Sequence, residues 1–353
     1  MNNYDIEYRK LEHLIVCEHC NVEYKKGTLL NNVELVHNGV SKSSLDDLDT
    51  SIELFGKKLD APIIVAGITG GHAVAKEVNK NIAIAVEEMN LGMGLGSQRA
   101  AIAKKGLEDT YSVVRDYTSS LVIGNLGAVN FTKDNWNYET VKKAVDIIDA
   151  DAMAIHFNPL QEAIQPEGDT DFRNLDYLSD VIKDYKKYFG NMPFIAKQVG
   201  EGFCQKDGLY LNKLGFDAID VGGSGGTSWS AVEYYRVKDY EHKKLSEKYL
   251  EWGIPTAASI LDVRKSFSKP LIATGGIRSG IDIAKSLALG ANCCGIALPV
   301  LKAAMKSPEE VIKLFESLIK ELKITMFLTG CNNINELNSA RYIINGELKN
   351  WIN

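Results

Sequence analysis

The stretch DAMAIHFNPLQEAIQPEGD, Asp151 to Asp169, runs from the apolar AMAI straight into His156, Asn158, Gln161, Glu162, Glu167 and Asp169. A continuous apolar run without polar alternation is the pattern of a strand buried on both faces, as in a parallel sheet. Such a strand, ending in a knot of polar side chains, delivers them to a cavity or into a polar surface loop, and the first is favoured. Parallel barrels place their sites at strand C-terminal ends.

Seven more runs of this kind surround it: PIIVAGIT from Pro62, LGMGLGS from Leu91, LVIGNLG from Leu121, FIAKQVG from Phe194, AIDVGG from Ala218, LIATGG from Leu271 and CCGIAL from Cys293. Between them AVAKEVNKNIAIAVEEMN, NYETVKKAVDIIDA, NLDYLSDVIKDYKKYF, SGIDIAKSLALG and SPEEVIKLFESLIKELK carry helical periodicity, and several are followed by Gly, a common helix stop. Strands alternating with helices in this number predict an α/β fold, a (β/α)8 TIM barrel, over a doubly wound sheet. No Pro-, Gly- or Ser-rich linker divides the 353 residues, which read as a single domain over 1–353. Residues 1–60 form an N-terminal extension that covers the barrel bottom or reaches its mouth. Residues 228–269 form an insertion after the sixth strand, either a lid or a solvated helical hairpin.

A hydrophobic fraction of 45% and a charged fraction of 24% describe an ordinary folded protein. The net charge of −6 argues against a nucleic-acid partner and obliges any anionic ligand to find local cations. No apolar run approaches the roughly 20 residues of a membrane span, and MNNYDIEYRKLEH lacks a signal-peptide core, so a cytoplasmic protein without a membrane partner is expected. The six cysteines show no disulfide framework. HLIVCEHC gathers His13, Cys17, His19 and Cys20, but without a second C-x-x-C it reads as incidental clustering rather than a zinc site.

The strand ends are polar and glycine-rich: Thr69-Gly70-Gly71-His72, Gly96-Ser97-Gln98-Arg99, Asn125-Leu126-Gly127, Lys197-Gln198, GGSGGTS from Gly222 and GGIRSG from Gly275. Two glycine loops on nearby strands suit a phosphate, because backbone N–H groups can approach it, although tight βα turns also use glycine. Lys197 lies inside an apolar strand, where an unpaired ammonium is costly. It is a Schiff-base lysine, a partner for an electron-rich cofactor ring, or a lysine paired with a structural carboxylate. Glycine-lined strand ends supply little chemistry of their own, which points to a bound cofactor with a phosphate tail and a flat ring. His156, Asn158, Gln161 and Glu162 then face whatever lies on that ring. Glu167 and Asp169 read as merely solvated.

These motifs resemble the type 2 isopentenyl-diphosphate isomerases, flavin-dependent barrel enzymes. RKLEH, GITGGH, GSQRA, GNLGA, HFNPLQE with QPEGD, GGSGGTSWSAVE, WGIPT and ATGGIRSG follow that family's order from Arg9 to Leu298. The resemblance implies FMN, Mg2+, interconversion of isopentenyl and dimethylallyl diphosphate, NADPH or NADH to reduce the flavin, and a homotetramer or homo-octamer. It places Thr69, Gly70, Gly71, Ser97, Asn125, Lys197 and Thr227 around the flavin ring and ribityl chain. Gly275, Gly276, Ile277, Arg278, Ala297 and Leu298 surround its phosphate. Arg9, Lys10, His13, Ser97, Gln98, Arg99, His156, Asn158 and Gln161 grip the substrate, and Glu162 binds Mg2+. Gln161, Lys197, His156 and the supporting acid Glu233 form the catalytic group. KQVG in place of the usual KEVG puts the role of Gln198 in doubt, and Gly222 stands where some members carry Ser.

Three rivals share parts of this pattern. An FMN-dependent 2-hydroxy-acid oxidase or dehydrogenase would use Lys197 and the phosphate loops but needs a histidine base beside the sixth or seventh strand. A nucleotide dehydrogenase barrel needs a cysteine in GGSGGTS. A non-catalytic flavin or phosphate sensor leaves HFNPLQE and RKLEH without purpose.

Overall fold

The computed structural model describes residues 6–352. Eight short strands form a closed parallel barrel. They are β1 (Ile63–Val65), β2 (Gly92–Gly94), β3 (Leu121–Gly127), β4 (Ala152–Phe157), β5 (Phe194–Gln198), β6 (Ala218–Asp220), β7 (Leu271–Thr274) and β8 (Cys293–Ile296). Each pairs with its successor and β8 closes onto β1, so the eight apolar runs are the eight staves of the predicted barrel. The expected helices follow them, for example Ala73–Glu88, Tyr138–Ile148 and Pro308–Thr329.

The double burial that made the strands legible has two sides. Ile64, Ile123, Ala154, Ile195 and Ile272 pack against one another in the barrel interior, while their neighbours along each strand join the larger core under the helices. The interior is closed from below by an antiparallel hairpin, Ile52–Leu54 with Lys57–Leu59. Its turn residues Phe55 and Gly56 have φ of 51° and 78°, the left-handed pair of a tight hairpin turn. Leu54 and Leu59 join a cluster containing Leu121, Ala152, Ala218 and Cys293, the first residues of four strands. That end is the barrel bottom.

Helix α1 (Ile6–His19) lies at the opposite end. It contacts two helices that follow strand C-termini, Trp229–Arg236 and Leu298–Ala304. The extension therefore does both of the things left open by the sequence: its helix covers the mouth and its hairpin plugs the bottom. A third piece, Val33–Leu35, pairs with Tyr342–Ile344.

Within 228–269 only the first part departs from the repeat. Trp229–Arg236 and Tyr240–Lys248 are two short helices packed together. Thr256–Arg264 contacts β7, with Ala257, Ile260 and Val263 fully buried, and is the barrel's own helix. The charge-rich sequence around it hid that boundary. No described helix is long and apolar enough to cross a membrane.

Leu59 fills the floor of the barrel, so Leu59→Ala leaves a cavity and lowers the unfolding free energy by about 2–5 kcal/mol. Urea unfolding followed by tryptophan fluorescence measures it; an unchanged midpoint would mean the hairpin does not plug the barrel.

Candidate active site

Strand register builds the floor of the mouth. His156 of β4 is opposite Lys197 of β5, and Lys197 is opposite Asp220 of β6. Lys197 and Asp220 therefore meet, with Nζ 2.6 Å from Oδ2 and side-chain exposures of 11% and 5%. Asp220 Oδ1 also accepts the Gly222 N–H at 3.2 Å and the Thr274 hydroxyl. Lys197 is thus paired with a carboxylate, which leaves it available as a partner for a cofactor ring. A Schiff base needs a free amine, and this one is engaged by a carboxylate. The pair still lies beneath an open pocket lined by Lys197, so the charge is fixed in place rather than hidden. Asp220 escaped the sequence reading. Its signal was an acid inside the apolar run AIDVGG, the same anomaly that flagged Lys197.

Beside it His156 is held neutral. Burial first, then the cations Lys10 and Lys197, push its imidazole down to about 3. Its Nδ1 is 2.8 Å from Asn125 Oδ1. Asn125 donates its own Nδ2 to the Leu95 carbonyl at 3.0 Å, which turns Oδ1 toward the ring. Nδ1 therefore carries the proton and Nε2 keeps a lone pair. His156 can accept from a donor in the pocket but brings no positive charge to a phosphate.

The quoted stretch forms one wall. After β4 comes helix α2 (Pro159–Ile164), with Pro159 at its first turn. Glu162 is 8% exposed and its carboxylate accepts from Asn158 Nδ2 at 2.9 Å, Gln165 Nε2 at 2.8 Å and the Asp169 N–H at 2.7 Å. Asn158 Nδ2 also reaches Gln161 Oε1 at 3.0 Å, while Asn158 Oδ1 is buried without a hydrogen-bond partner. The loop folds back so closely that a Cβ on Gly168 would lie 1.8 Å from the Glu162 carbonyl oxygen. That return brings Asp169 to Lys133 at 2.5 Å and Glu167 to Arg236 at 2.8 Å and Arg9 at 3.5 Å. Neither acid is simply solvated, contrary to the sequence reading. Their partners are remote in sequence and could not be seen from it.

Helix α1 supplies the roof with Arg9, Lys10, His13, Leu14 and Cys17 from one face. The Lys10 ammonium is lowered to about 8, by burial first and then by Arg9 and Arg99. His13 Nε2 lies 3.2 Å from Oε1 of Glu233 in α3 (Trp229–Arg236). Burial lowers the His13 pKa, and the bond to Glu233 opposes that shift. Glu233 is fully buried behind His13 and does not line the pocket, so it acts through the imidazole.

Most of the remaining candidates line the same pocket: Thr69, Ser97, Arg99, Thr227, Gly275, Gly276, Ala297 and Leu298. Four do not. Gly70 is glycine because the Tyr111 ring occupies the place of its Cβ, at 2.0 Å, and the Gly71 N–H is bonded to Thr110. Ile277 is fully buried behind its loop. Gln98 is fully buried too; its Nε2 donates to the Ala144 carbonyl at 2.8 Å and its Oε1 accepts the Asn125 N–H at 3.0 Å, so it braces β3 rather than gripping a substrate. Arg278 lines the pocket, yet its guanidinium bonds Glu23 at 2.6 and 3.0 Å. The departures at Gln198 and Gly222 both have local reasons. Gln198 Oε1 accepts from the N–H groups of Gly200 and Glu201 at 3.0 and 3.1 Å, and a Cβ on Gly222 (φ 45°) would lie 2.0 Å from the Gln198 carbonyl oxygen.

Comparison with known proteins fits this geometry. The FMN-dependent dehydrogenase family profile matches residues 133–344. The chain is 72% identical over 351 residues to the isopentenyl-diphosphate delta-isomerase of Methanococcus maripaludis, covering 99% of each. It is 62% identical to that of Methanocaldococcus jannaschii, covering 99% of this chain and 98% of the relative. For that of Methanothermobacter thermautotrophicus the identity is 43%, over 99% and 96%. Among solved structures, a mandelate oxidase variant with (S)-mandelic acid superposes with a TM-score of 0.63 at 18% identity, over 95% of this chain and 94% of that one, which establishes a shared fold. With full-length identity to relatives of one name and the motifs of RKLEH and HFNPLQE on one pocket, the chain belongs to the isopentenyl-diphosphate delta-isomerase family, in its FMN-dependent type 2 branch.

Proposed function

We propose that this chain interconverts isopentenyl and dimethylallyl diphosphate, using reduced FMN and Mg2+ with no net redox change. The observation that carries the reading is the convergence of Arg9, Lys10 and Arg99 with the Glu162–Asn158 oxygens in a single pocket. Arg9 and Arg99 reach carboxylates only at 3.5 and 3.7 Å, and Lys10 has no ion pair among the described residues. Cations in excess suit a diphosphate, and an ionised carboxylate beside them suits the hard divalent ion that bridges to it. Asn158 Oδ1 is a buried oxygen acceptor in want of a partner, which fits a metal or its bound water.

The donor set also fits FMN. Gly275 and Gly276, with φ of 103° and 73°, line the pocket with bare backbone, and Gly226 packs behind them, where a Cβ would lie 2.4 Å from the Gly276 nitrogen. With Ala297 and Leu298, Gly275 and Gly276 would hold the phosphate; Thr69, Ser97, Asn125 and Thr227 would hold the ribityl chain and ring. Lys197, fixed by Asp220, would balance negative charge on the reduced ring in a site of low dielectric. When bound, reduced flavin supplies an electron-rich ring and an exchangeable proton beside the alkene. NADPH or NADH would serve only to reduce it.

The protein's own groups then bind, orient and exclude water. Leu14, Trp229 and Leu301 give the pocket an apolar wall suited to the isoprenyl chain. Gln161, its Oε1 held by Asn158, would orient the allylic carbon or relay a proton. A proton taken from an unactivated carbon requires such placement, because no side chain here is a strong base near neutral pH.

The purified chain should be yellow and, reduced with dithionite and supplied with Mg2+, should turn isopentenyl diphosphate into dimethylallyl diphosphate; no product under those conditions rejects the reading. Gln161→Ala should keep the flavin and lose turnover, and full turnover would remove Gln161 from the chemistry. A further prediction concerns Lys10. It is charged below pH 8 and neutral above, and an anion binds the charged form, so pyrophosphate affinity should be full near pH 7 and fall by up to about tenfold per pH unit above 8. In Lys10→Met binding should be weaker at pH 7 and should lack that fall, keeping only the pH dependence of pyrophosphate's own ionisation. Calorimetry of pyrophosphate between pH 7 and 9.5 decides it.

A further inference from the structure

One buried cation outside the pocket touches three carboxylates. Arg236, with 10% of its side chain exposed, donates Nε to Glu233 Oε2 at 2.7 Å. Its Nη2 reaches Glu167 Oε1 at 2.8 Å, and its Nη1 lies 3.7 Å from Glu12. These acids come from three rim elements: α3 itself, the loop after α2, and α1. Two of them hold pocket residues of α1 in turn, Glu233 through His13 at 3.2 Å and Glu167 through Arg9 at 3.5 Å.

From this geometry we infer that Arg236 is a positioning residue that latches α1 over the barrel mouth and sets His13 and Arg9 against the diphosphate, a role that rests on reading the pocket as a diphosphate site. The planar fork of an arginine suits it, since two carboxylates are bonded at once through different nitrogens, which the point charge of a lysine cannot reproduce. The groups facing the latch are Arg9, Lys10, Glu12 and His13 from α1, Glu167 from the loop and Glu233 from α3. Without Arg236, Glu233 would remain a fully buried carboxylate with His13 as its bonded partner. An uncompensated buried charge is strongly unfavourable, and the simplest relief is uptake of a proton by the His13–Glu233 pair. Arg236 thus has two separable effects. Its charge adds to the burial that lowers the His13 pKa, and its fork keeps Arg9 and α1 in register with the pocket.

The test uses the FMN-loaded full chain as wild type, Arg236→Met and Arg236→Lys, with 13C-histidine NMR titration, pyrophosphate calorimetry and isomerase kinetics. In Arg236→Met the His13 titration should move upward by about one pH unit or more and KM should rise about tenfold, with kcat within about threefold and flavin content unchanged. In Arg236→Lys the His13 titration should return toward wild type while KM stays raised. Unchanged His13 titration and pyrophosphate affinity in Arg236→Met would overturn the latch, as would loss of flavin in step with KM, which marks a general folding defect. Should Arg236→Met not fold, Arg236→Lys carries the test: raised KM with wild-type flavin content and melting temperature supports the latch, wild-type KM overturns it. A wild-type chain that binds pyrophosphate without isomerising rejects the proposed activity alone. One that binds no pyrophosphate rejects the diphosphate site and the latch's purpose with it, even if the His13 titration moves.

Discussion

The Lys197–Asp220 pair is the constraint around which the mouth is arranged. Two charges facing the inside of a barrel are tolerable only when they meet and their remaining hydrogen bonds are filled. Strand register makes them meet by placing the two residues opposite one another on β5 and β6. The rest of Asp220's bonding then reaches outward, to the Thr274 hydroxyl at the end of β7 and to the Gly222 N–H at the start of the glycine loop. Gly222 in turn passes too close to the Gln198 carbonyl to carry a side chain. One ion pair thereby fixes the ends of β5, β6 and β7 and the backbone path of the loop that follows β6.

What the sequence revealed and what it withheld divide along a physical line. Strands buried on both faces write themselves as continuous apolar runs, and all eight were legible. The polar ends of those strands were legible as a candidate site for the same reason, since His156, Asn158, Gln161 and Glu162 follow directly on AMAI. Pairings across the fold were not. Asp220, Arg236 and the tethers of Glu167 and Asp169 depend on register and loop return, which no local pattern records. Glycines were ambiguous in kind. Gly70 serves the packing of Tyr111, and Gly225 clears the passage of Thr28, whose nitrogen would lie 2.5 Å from a Cβ there, whereas Gly275 and Gly276 both line the pocket and clear neighbouring backbone.

Fold likeness and site chemistry point to different relatives, and the site decides. The mandelate oxidase structures share the barrel at 18% identity or below, and a barrel hosts many reactions. A hydroxy-acid oxidase must grip a carboxylate with arginine and take a proton with histidine. Here Arg278 is engaged by Glu23 from the extension, and His156 is a neutral ring bonded through Nδ1 to Asn125. The residues that face a ligand are instead the cations of α1 and the oxygen cluster after β4, and these two sets line one pocket.

The charges of the pocket are ordered in two layers. Arg9, Arg99 and Lys197 line it, and behind each stands a carboxylate that does not: Glu167, Asp134 and Asp220. In a chain of net charge −6 this arrangement keeps the acids from the ligand while still stabilising the cations that meet it. Lys10 breaks the pattern. Among the described residues it has no ion-pair partner, and burial, with the charges of Arg9 and Arg99, lowers its proton affinity. A cation held in that way is unfavourable in the empty pocket and relieved by an anion, so its interaction is stronger with the bound state than its position on the rim suggests. On the proposed reading, Lys10 would be where a multiply charged ligand relieves the protein's own electrostatic strain.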